Sequence, residues 1–164
     1  QLDPAVLRQT VGLMGQDSRL FNGTLRENLT MGNTAVSDTR IVTVLESLGL
    51  MTWVNEMASG LDSTIGEGGA GLSGGQRQLI ALGRLRLSNP SVVLLDEPTS
   101  ALDTETEQRV IAALKQWIGN KTLLLATHRP SLLSLVDTVA VVNKGKIHSL
   151  SSKDALAEKL SHRA

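Results

Sequence analysis

The stretch 92–98, Val-Val-Leu-Leu-Asp-Glu-Pro, decides the fold of this 164-residue chain. Its four apolar residues follow one another without polar alternation, which predicts a strand buried on both faces of a parallel sheet. Pro98 ends the strand because proline lacks the amide that the ladder needs. Asp96 and Glu97 are therefore expected at the carboxyl edge of the sheet, where α/β proteins bind ligands. One carboxylate suits a magnesium ion and the other an attacking water, with a solvated acidic turn as the alternative.

A second stretch, 72–76 (Leu-Ser-Gly-Gly-Gln), predicts the start of a helix. Ser73 and Gln76 have the spacing of a capping box, in which each side chain accepts a hydrogen bond from the other residue's backbone amide. Gly74 and Gly75 leave the backbone uncovered at the positive end of the helix dipole, so amides and the serine hydroxyl can approach a phosphate. An ordinary capped helix is the alternative.

Polar side chains also follow two further predicted strands. Gln16 follows the strand predicted at 10–14 and could reach a magnesium ion or the attacking water. His128 follows the apolar run 123–126, and an imidazole there can donate to a γ-phosphate and orient the water. A plain loop amide and a structural histidine are the respective alternatives.

Composition restricts the class of partner. The chain has 16 basic and 16 acidic residues, so no basic field favours a nucleic acid. Two tryptophans and one phenylalanine offer little surface for stacking bases. Cysteine is absent, which is compatible with a reducing cytosol, and neither a signal peptide nor an apolar run long enough for a bilayer is visible. We therefore do not expect nucleic acid as a partner.

Capping and turn residues predict the remaining elements. In chain order these are a helical turn at Asp3-Pro4, a helix capped by Thr24 with Glu27 as its second box residue, a helix from Ser37-Asp38 to Gly49, an end of the 73–88 helix at Asn89-Pro90, a helix capped by Asp103 or Thr104, a hairpin of 138–142 with 146–150, and a C-terminal helix at about 152–160. Gly83 lies in the middle of a helix, where glycine costs about 1 kcal/mol relative to alanine. Nothing in the sequence explains it.

The order of these motifs resembles one family, the ATP-binding cassette (ABC) ATPases. Residues 72–76 are similar to its signature, 92–98 to its Walker B strand, and 100–103 (Ser-Ala-Leu-Asp) to its D-loop. Residues 126–129 (Ala-Thr-His-Arg) resemble its switch-histidine loop, and 15–17 (Gly-Gln-Asp) its Q-loop. Five motifs in the family's order make a resemblance that covers nearly the whole chain.

The resemblance implies an α/β fold, a partial P-loop NTPase (RecA-like) core with a parallel sheet. The ABC helical subdomain would occupy about 17–90, and about 91–164 would hold the C-terminal part of the core with a β-hairpin and a helix. No Gly-x-x-x-x-Gly-Lys-Ser/Thr run occurs in the sequence. We therefore expect a C-terminal fragment of a cassette, without the P-loop (Walker A) and with an open sheet edge.

ATP and Mg²⁺ are the cofactors that the resemblance implies. In this family pattern, Asp96 and Gln16 serve the magnesium ion and Glu97 serves the attacking water. His128 senses the γ-phosphate. These four residues are our candidates for the catalytic and metal-binding site.

The resemblance also implies a head-to-tail dimer of two cassettes. The signature residues Ser73, Gly74, Gly75 and Gln76 would then contact the ATP bound by the other cassette. Asp103 would couple the two sites across the interface. A second cassette is therefore an expected partner.

Two segments resemble the exporter branch of the family, in which they face the transmembrane domain: Phe21 to Leu29, and Glu67 within the loop 64–69. A flexible acidic loop is the alternative for Glu67. The amino-acid sequences of residues 1–5 and 20–28 look most like those of the type I secretion ATPases, which export proteins or peptides from Gram-negative bacteria. This implies a place at the cytoplasmic face of the bacterial inner membrane, within an integral membrane transporter.

Two other functions stay open. A soluble ABC ATPase of DNA repair or translation uses the same cassette, although neutral charge and the exporter-like segments argue against it. The isolated 164 residues could instead be an interaction module that binds another cassette and hydrolyses nothing. Without a P-loop we expect no ATPase activity from them, and ATP affinity no better than about millimolar, roughly −4 kcal/mol.

Overall fold

The computed structural model describes residues 3–17 and 19–152. The chain forms two compact units, Gln1–Ala126 and Thr127–Ala164. The described α-helices and strands of the first unit are α1 (Pro4–Thr10), β1 (Val11–Met14), β2 (Gly23–Thr24), α2 (Leu25–Thr30), α3 (Asp38–Ser47), α4 (Met51–Glu56), β3 (Thr64–Ile65), α5 (Gly74–Ser88), β4 (Val92–Asp96), α6 (Thr104–Ile118) and β5 (Thr122–Ala126).

A parallel three-stranded sheet in the order β1-β4-β5 forms the centre of the first unit. Met14 pairs with Leu95, and Leu95 pairs with Leu125, so the three strands end at the same edge. The strands predicted at 10–14, 92–95 and 123–126 are confirmed, and so is the mixed α/β fold with a parallel sheet.

The expectation that the strand 92–95 is buried on both faces is wrong for the described part of the chain, because Val92 and Leu94 are only half-buried. Val93 and Leu95 are 0% and 2% exposed, whereas Leu13 and Leu124 on the opposite face are 69% and 67% exposed. Helix α5 covers only the first face, where Leu85 approaches Gly12 so closely that a β-carbon would clash. An apolar run alone therefore could not distinguish a strand with one covered face from a strand with two.

Helices α2, α3 and α5 pack together beside the sheet. Their fully buried apolar side chains are Leu25, Leu29, Ile41, Leu45, Ile80 and Leu82. The structure explains why position 83 is a glycine, since an added β-carbon would lie 2.9 Å from Leu29 Cδ2. The glycine lets α2 approach α5 closely.

The predicted helix caps are confirmed. Glu27 N donates to Thr24 Oγ1 at 3.1 Å, and Thr24 N donates to Glu27 Oε2 at 2.7 Å, which completes a capping box at α2. Ser37 caps α3 by accepting from the amide of Arg40 at 3.3 Å. Of the two candidates for the α6 cap, the structure selects Asp103.

The second unit contains a 3-10 helix (Pro130–Leu135) and the antiparallel hairpin of β6 (Thr138–Asn143) and β7 (Lys146–Ser152). Lys144 and Gly145 turn the hairpin at φ 48° and 73°, as a two-residue turn of this kind requires. The predicted hairpin is confirmed. The C-terminal helix predicted at about 152–160 lies, beyond Ser152, outside the described residues. Within the described ranges, every helix is too short or too polar to cross a membrane.

Candidate functional site

The predicted catalytic and metal-binding residues of the first unit follow neighbouring strands. Gln16 comes two residues after β1, Asp96 is the last residue of β4, and Glu97 comes next. Glu97 N donates to Ala126 O at 2.9 Å, which ties the end of β4 to the end of β5. Asp96 and Glu97 are half-buried, while Gln16 is exposed. The structure therefore brings these three polar residues to one edge of the sheet.

Glu97 has a strained backbone. Its φ of 47° lies in the left-handed region, which a residue with a β-carbon adopts at a cost of about 1 kcal/mol or more. The conformation is held from both sides, because the amide donates to Ala126 and the carbonyl accepts from Ser100 N at 3.2 Å. Strain of this kind concentrates at functional sites, which supports Glu97 as a candidate.

The start of helix α5 has the predicted capping box. Gln76 N donates to Ser73 Oγ at 3.1 Å, and Ser73 N donates to Gln76 Oε1 at 2.9 Å. Gly74 and Gly75 also matter for close packing, which the sequence did not indicate. An added β-carbon at Gly75 would lie 3.2 Å from Ala101 O, and one at Gly74 would lie 3.4 Å from Ala101 Cβ. They allow the helix start to pack against the loop 100–103.

Asp103 caps helix α6 with both carboxylate oxygens. Thr106 N donates to Oδ1 at 2.9 Å, and Thr106 Oγ1 donates to Oδ2 at 2.7 Å. The backbone hydrogen bond from Thr106, followed by the hydroxyl bond, lowers the pKa of this exposed carboxyl. Asp103 is therefore ionised at neutral pH, and its coupling role across a dimer stays a prediction.

One cleft of about 280 Å³ connects several of these motifs. Gln16, Gly74, Ser100 and Ala101 line it, so the predicted Q-loop, signature and D-loop share one concave surface. Gln78 also lines it and was missed by the sequence analysis. The available signal was a polar residue directly before the buried pair Leu79 and Ile80.

A second buried polar contact, between Thr99 and Glu107, was also missed. Thr99 is fully buried, and its hydroxyl donates to Glu107 Oε1 at 3.0 Å. The contact joins the loop after β4 to helix α6. It helps to fix the segment between the acidic pair and Asp103.

His128 belongs to the second unit, where its side chain is exposed. Next to it, Thr127 Oγ1 accepts a hydrogen bond from Arg129 N at 3.0 Å. The predicted role of His128 toward a γ-phosphate stays a prediction.

The two exporter-like segments are joined by a short antiparallel pair, in which Gly23 of β2 is opposite Ile65 of β3. Phe21 and Glu67 are exposed at this pair. The buried side chain of Asn28 fixes the backbone of Phe21 with two hydrogen bonds. It accepts from Phe21 N at 3.1 Å and donates to Phe21 O at 2.9 Å. The two segments therefore lie next to each other.

Helix α5 is connected to the same segment through Arg84. Its Nε donates to Asn28 O at 2.8 Å, and Nη2 donates to Asn28 Oδ1 at 3.2 Å. The guanidinium also lies 5.8 Å from the centre of the Phe21 ring. The segment 21–29 is thus attached to the helix that begins at Ser73.

The residues at the sheet edge fit a magnesium ion in their chemistry. The carboxylate of Asp96 and the amide oxygen of Gln16 are the hard oxygen ligands that Mg²⁺ prefers. Among the described residues, no group of three or more His, Cys, Asp or Glu side chains could hold a metal ion by itself. A magnesium site usually has one or two protein ligands, and phosphates and water complete it.

A model of the family described as "ABC transporter" matches residues 2–100, and the chain belongs to this family. It is 38% identical over 150 residues to the ATP-dependent lipid A-core flippase of Desulfotalea psychrophila, covering 92% of this chain and 26% of that protein. It is 37% identical over 145 residues to the leukotoxin export ATP-binding protein LtxB of Aggregatibacter actinomycetemcomitans, covering 88% of this chain and 20% of that protein. The chain thus spans about a fifth to a quarter of the length of these curated relatives.

A solved structure shows the same fold. The chain matches a bacterial Atm1-family ABC exporter with ATP bound at a TM-score of 0.87 and 31% identity, covering 94% of this chain and 27% of that one. The α/β fold with its parallel sheet is therefore that of an ABC exporter's nucleotide-binding domain.

Proposed function

We propose that this chain forms part of the nucleotide-binding domain that powers an ABC exporter by hydrolysing ATP. The observation that carries the proposal is the meeting of Gln16, Asp96 and Glu97 at one sheet edge. The cleft beside Gln16 also contains the start of helix α5. One chain thus carries groups directed at metal and water for its own ATP and a helix N-terminus suited to the phosphate of a second cassette's ATP.

In the proposed reaction, Glu97 positions and deprotonates the water that attacks the γ-phosphorus of ATP. The bond from that phosphorus to the β–γ bridging oxygen breaks, and ADP leaves together with phosphate. The strained backbone, bonded at both its amide and its carbonyl, keeps the carboxylate in place. Asp96 and Gln16 would hold Mg²⁺, which when bound neutralises phosphate charge. His128 would donate to the γ-phosphate. Catalysis of phosphoryl transfer is mainly positioning and charge stabilisation.

The exposed start of helix α5 would serve a second cassette in a head-to-tail dimer. Ser73 and the amides after it lie at the positive end of a 15-residue helix, which favours an anion. Gly74, Gly75 and Gln76 complete the contact with the ATP of the other cassette. Asp103, ionised and exposed on the neighbouring loop, would couple the two sites.

The transmembrane domain would contact the paired segments around Phe21 and Glu67, both of which are exposed. For the cargo we propose type I secretion of a protein or peptide, at the cytoplasmic face of the bacterial inner membrane. The leukotoxin exporter and the lipid flippase are almost equally similar to the chain, so overall identity does not choose between their cargoes. The proposal of type I secretion therefore depends on the amino-acid sequences of residues 1–5 and 20–28. A soluble ABC ATPase is not favoured by these relatives.

The proposed domain layout remains a helical subdomain at about 17–90 and the C-terminal part of the core at about 91–164. It is supported by the position of helices α2 to α5 within the first range.

Substitution of Glu97 by glutamine tests the proposed reaction. In a complete cassette that contains these residues, Glu97→Gln should lower ATP turnover at least about 100-fold, because the amide cannot take the proton. ATP affinity should stay within about twofold. The matched control is Glu105→Gln, at an exposed carboxylate that pairs with Arg109 on the surface of α6. Full turnover by Glu97→Gln would refute the proposed role.

A further inference from the structure

Gln78 is a buried amide with three hydrogen bonds to one loop. It lies on helix α5 with 8% of its surface exposed. Its Nε2 donates to Glu97 O at 3.0 Å and to Ser100 Oγ at 3.1 Å, and its Oε1 accepts from Ala101 N at 2.9 Å. The amide orientation is determined by these partners, since a carbonyl only accepts and a backbone amide only donates.

These bonds hold the backbone that orients Glu97. Gln78 shares the Glu97 carbonyl with Ser100 N, at the residue whose φ is 47°. Without Gln78 the carbonyl keeps only its hydrogen bond from Ser100 N among these two donors, so the strained backbone of Glu97 is held less firmly and its side chain is oriented less precisely. Gln78 therefore acts on the position of the carboxylate through the backbone, without needing contact with the substrate.

The helix that carries Gln78 begins at the predicted phosphate site. Ser73 lies five residues earlier, about 7.5 Å along the helix axis at about 1.5 Å per residue. A helix is stiff over this length, so a shift of its start also moves Gln78. The loop that contains Glu97 and Ala101 must then follow.

We propose that Gln78 is a positioning residue that links two ATP sites through one chain. This inference rests on the proposed function, in which Ser73 contacts the ATP of the second cassette while Glu97 acts on the ATP of its own cassette. Binding of the second cassette's ATP fixes the position of helix α5. Through its hydrogen bonds, Gln78 then fixes the backbone of Glu97 and the loop 100–103, so that hydrolysis at one site depends on ATP at the other. A buried hydrogen-bond network of this kind is a physical link between sites.

The first test replaces the amide in a complete cassette that contains these residues. Gln78→Met keeps the length of the side chain and removes all three hydrogen bonds. We expect kcat to fall at least about tenfold, KM for ATP to change less than about twofold, and the Hill coefficient for ATP to approach 1. The matched control is Ile80→Val, which alters a fully buried residue of the same helix. Its kcat and Hill coefficient should stay near those of the parent.

The second test uses pH and remains informative if Gln78→Met folds poorly. The carboxylate of Gln78→Glu cannot donate to Glu97 O, but its protonated form donates one hydrogen bond. Burial at this position raises the pKa of the introduced carboxyl. We therefore expect the kcat of Gln78→Glu, divided by that of the parent at each pH, to rise at least about threefold as the pH falls from 8 to 5. The same ratio for Ile80→Val should be flat.

The inference is overturned if Gln78→Met keeps more than half the parent kcat and its cooperativity. It is also overturned if kcat falls only in proportion to the folded fraction, measured by circular dichroism, or if the Gln78→Glu ratio does not change with pH. The result for Glu97→Gln separates the two proposals. An inactive Glu97→Gln beside a normal Gln78→Met refutes only the link, whereas an active Glu97→Gln refutes the proposed reaction.

Discussion

The helical region and the sheet of the first unit use similar residues with different results. In helices α2, α3 and α5, leucines such as Leu29, Leu45 and Leu82 are at most 1% exposed. In the sheet, Leu13 and Leu124 are more than two-thirds exposed, although they also belong to apolar runs. Residue type therefore determines burial in the first region and does not determine it in the second.

The difference follows from geometry. The helices have apolar stripes that face one another, so each covers the other within the described chain. The sheet has two faces, and Leu13, Leu94 and Leu124 pair across it to form a leucine row on the face opposite helix α5. An apolar run shows that both faces of a strand can be buried. Whether a face is buried depends on whether another layer of helices or strands packs on it.

The largest expected effect compares a leucine from each region. Leu82→Ala, at a side chain with no exposed surface, should lower the free energy of unfolding by about 2–5 kcal/mol. Leu124→Ala should change it by less than about 0.5 kcal/mol, because most of that side chain already contacts water. Urea titrations of the 164-residue chain provide both values. Similar losses for the two variants would show that the exposed face is covered in solution.

The contact between α2 and α5 gives a smaller effect. Gly83→Ala brings a methyl group to 2.9 Å from Leu29, which is itself buried. Overpacking should cost more than the roughly 1 kcal/mol that alanine gains in helix propensity, for a net loss of about 1 kcal/mol. The control is Gly15→Ala, where nothing lies within 4 Å of an added β-carbon. A Gly83→Ala protein more stable than the parent would mean that the two helices adjust freely.

The leucine row predicts association with little change in folding. Exposed apolar faces and open strand edges favour contact between copies. Leu124→Lys should reduce the self-association of the 164-residue chain by about twofold or more in sedimentation velocity runs at equal concentration. Leu7→Lys, at an exposed leucine outside the row, serves as the control. Equal effects of the two changes would assign the association to net charge.

The smallest effect is a pH dependence in the helical region. Hydrogen bonds from the backbone and hydroxyl of Thr24 lower the pKa of Glu27 below its ordinary value of 4.5. A lowered pKa means that the folded state favours the carboxylate, so this contribution is present above about pH 4.5 and is lost as the pH falls through the folded pKa. The unfolding midpoints of Glu27→Gln and the parent should therefore converge between pH 6 and pH 3. A constant difference would contradict this account of the cap.

Local features were predicted from sequence because their causes are local. Ser73 with Gln76 and Thr24 with Glu27 satisfy helix ends within four residues, so their capping boxes were readable in advance. Lys144 and Gly145 specify their turn in the same way. The alignment of Gln16 with Asp96 followed from the rule that parallel strands end at one edge.

Other features needed the tertiary structure, because they depend on what arrives from elsewhere in the chain. The need for a glycine at position 83 depends on Leu29, which lies more than fifty residues away in the sequence and packs on it. The three bonds of Gln78 depend on a loop that begins 19 residues later. The local signal, a polar residue directly before Leu79 and Ile80, does not show which groups that residue bonds.

By itself the sequence determined the order of the elements, their caps and the acidic pair that follows strand β4, since these depend on neighbours within a few residues. Only the tertiary structure decided which face of the sheet is covered, why Gly75 and Gly83 have no side chain, and that Gln78 holds the backbone of Glu97. The physical reason is that hydrogen bonds and close packing between distant segments exist only after the chain has brought those segments together.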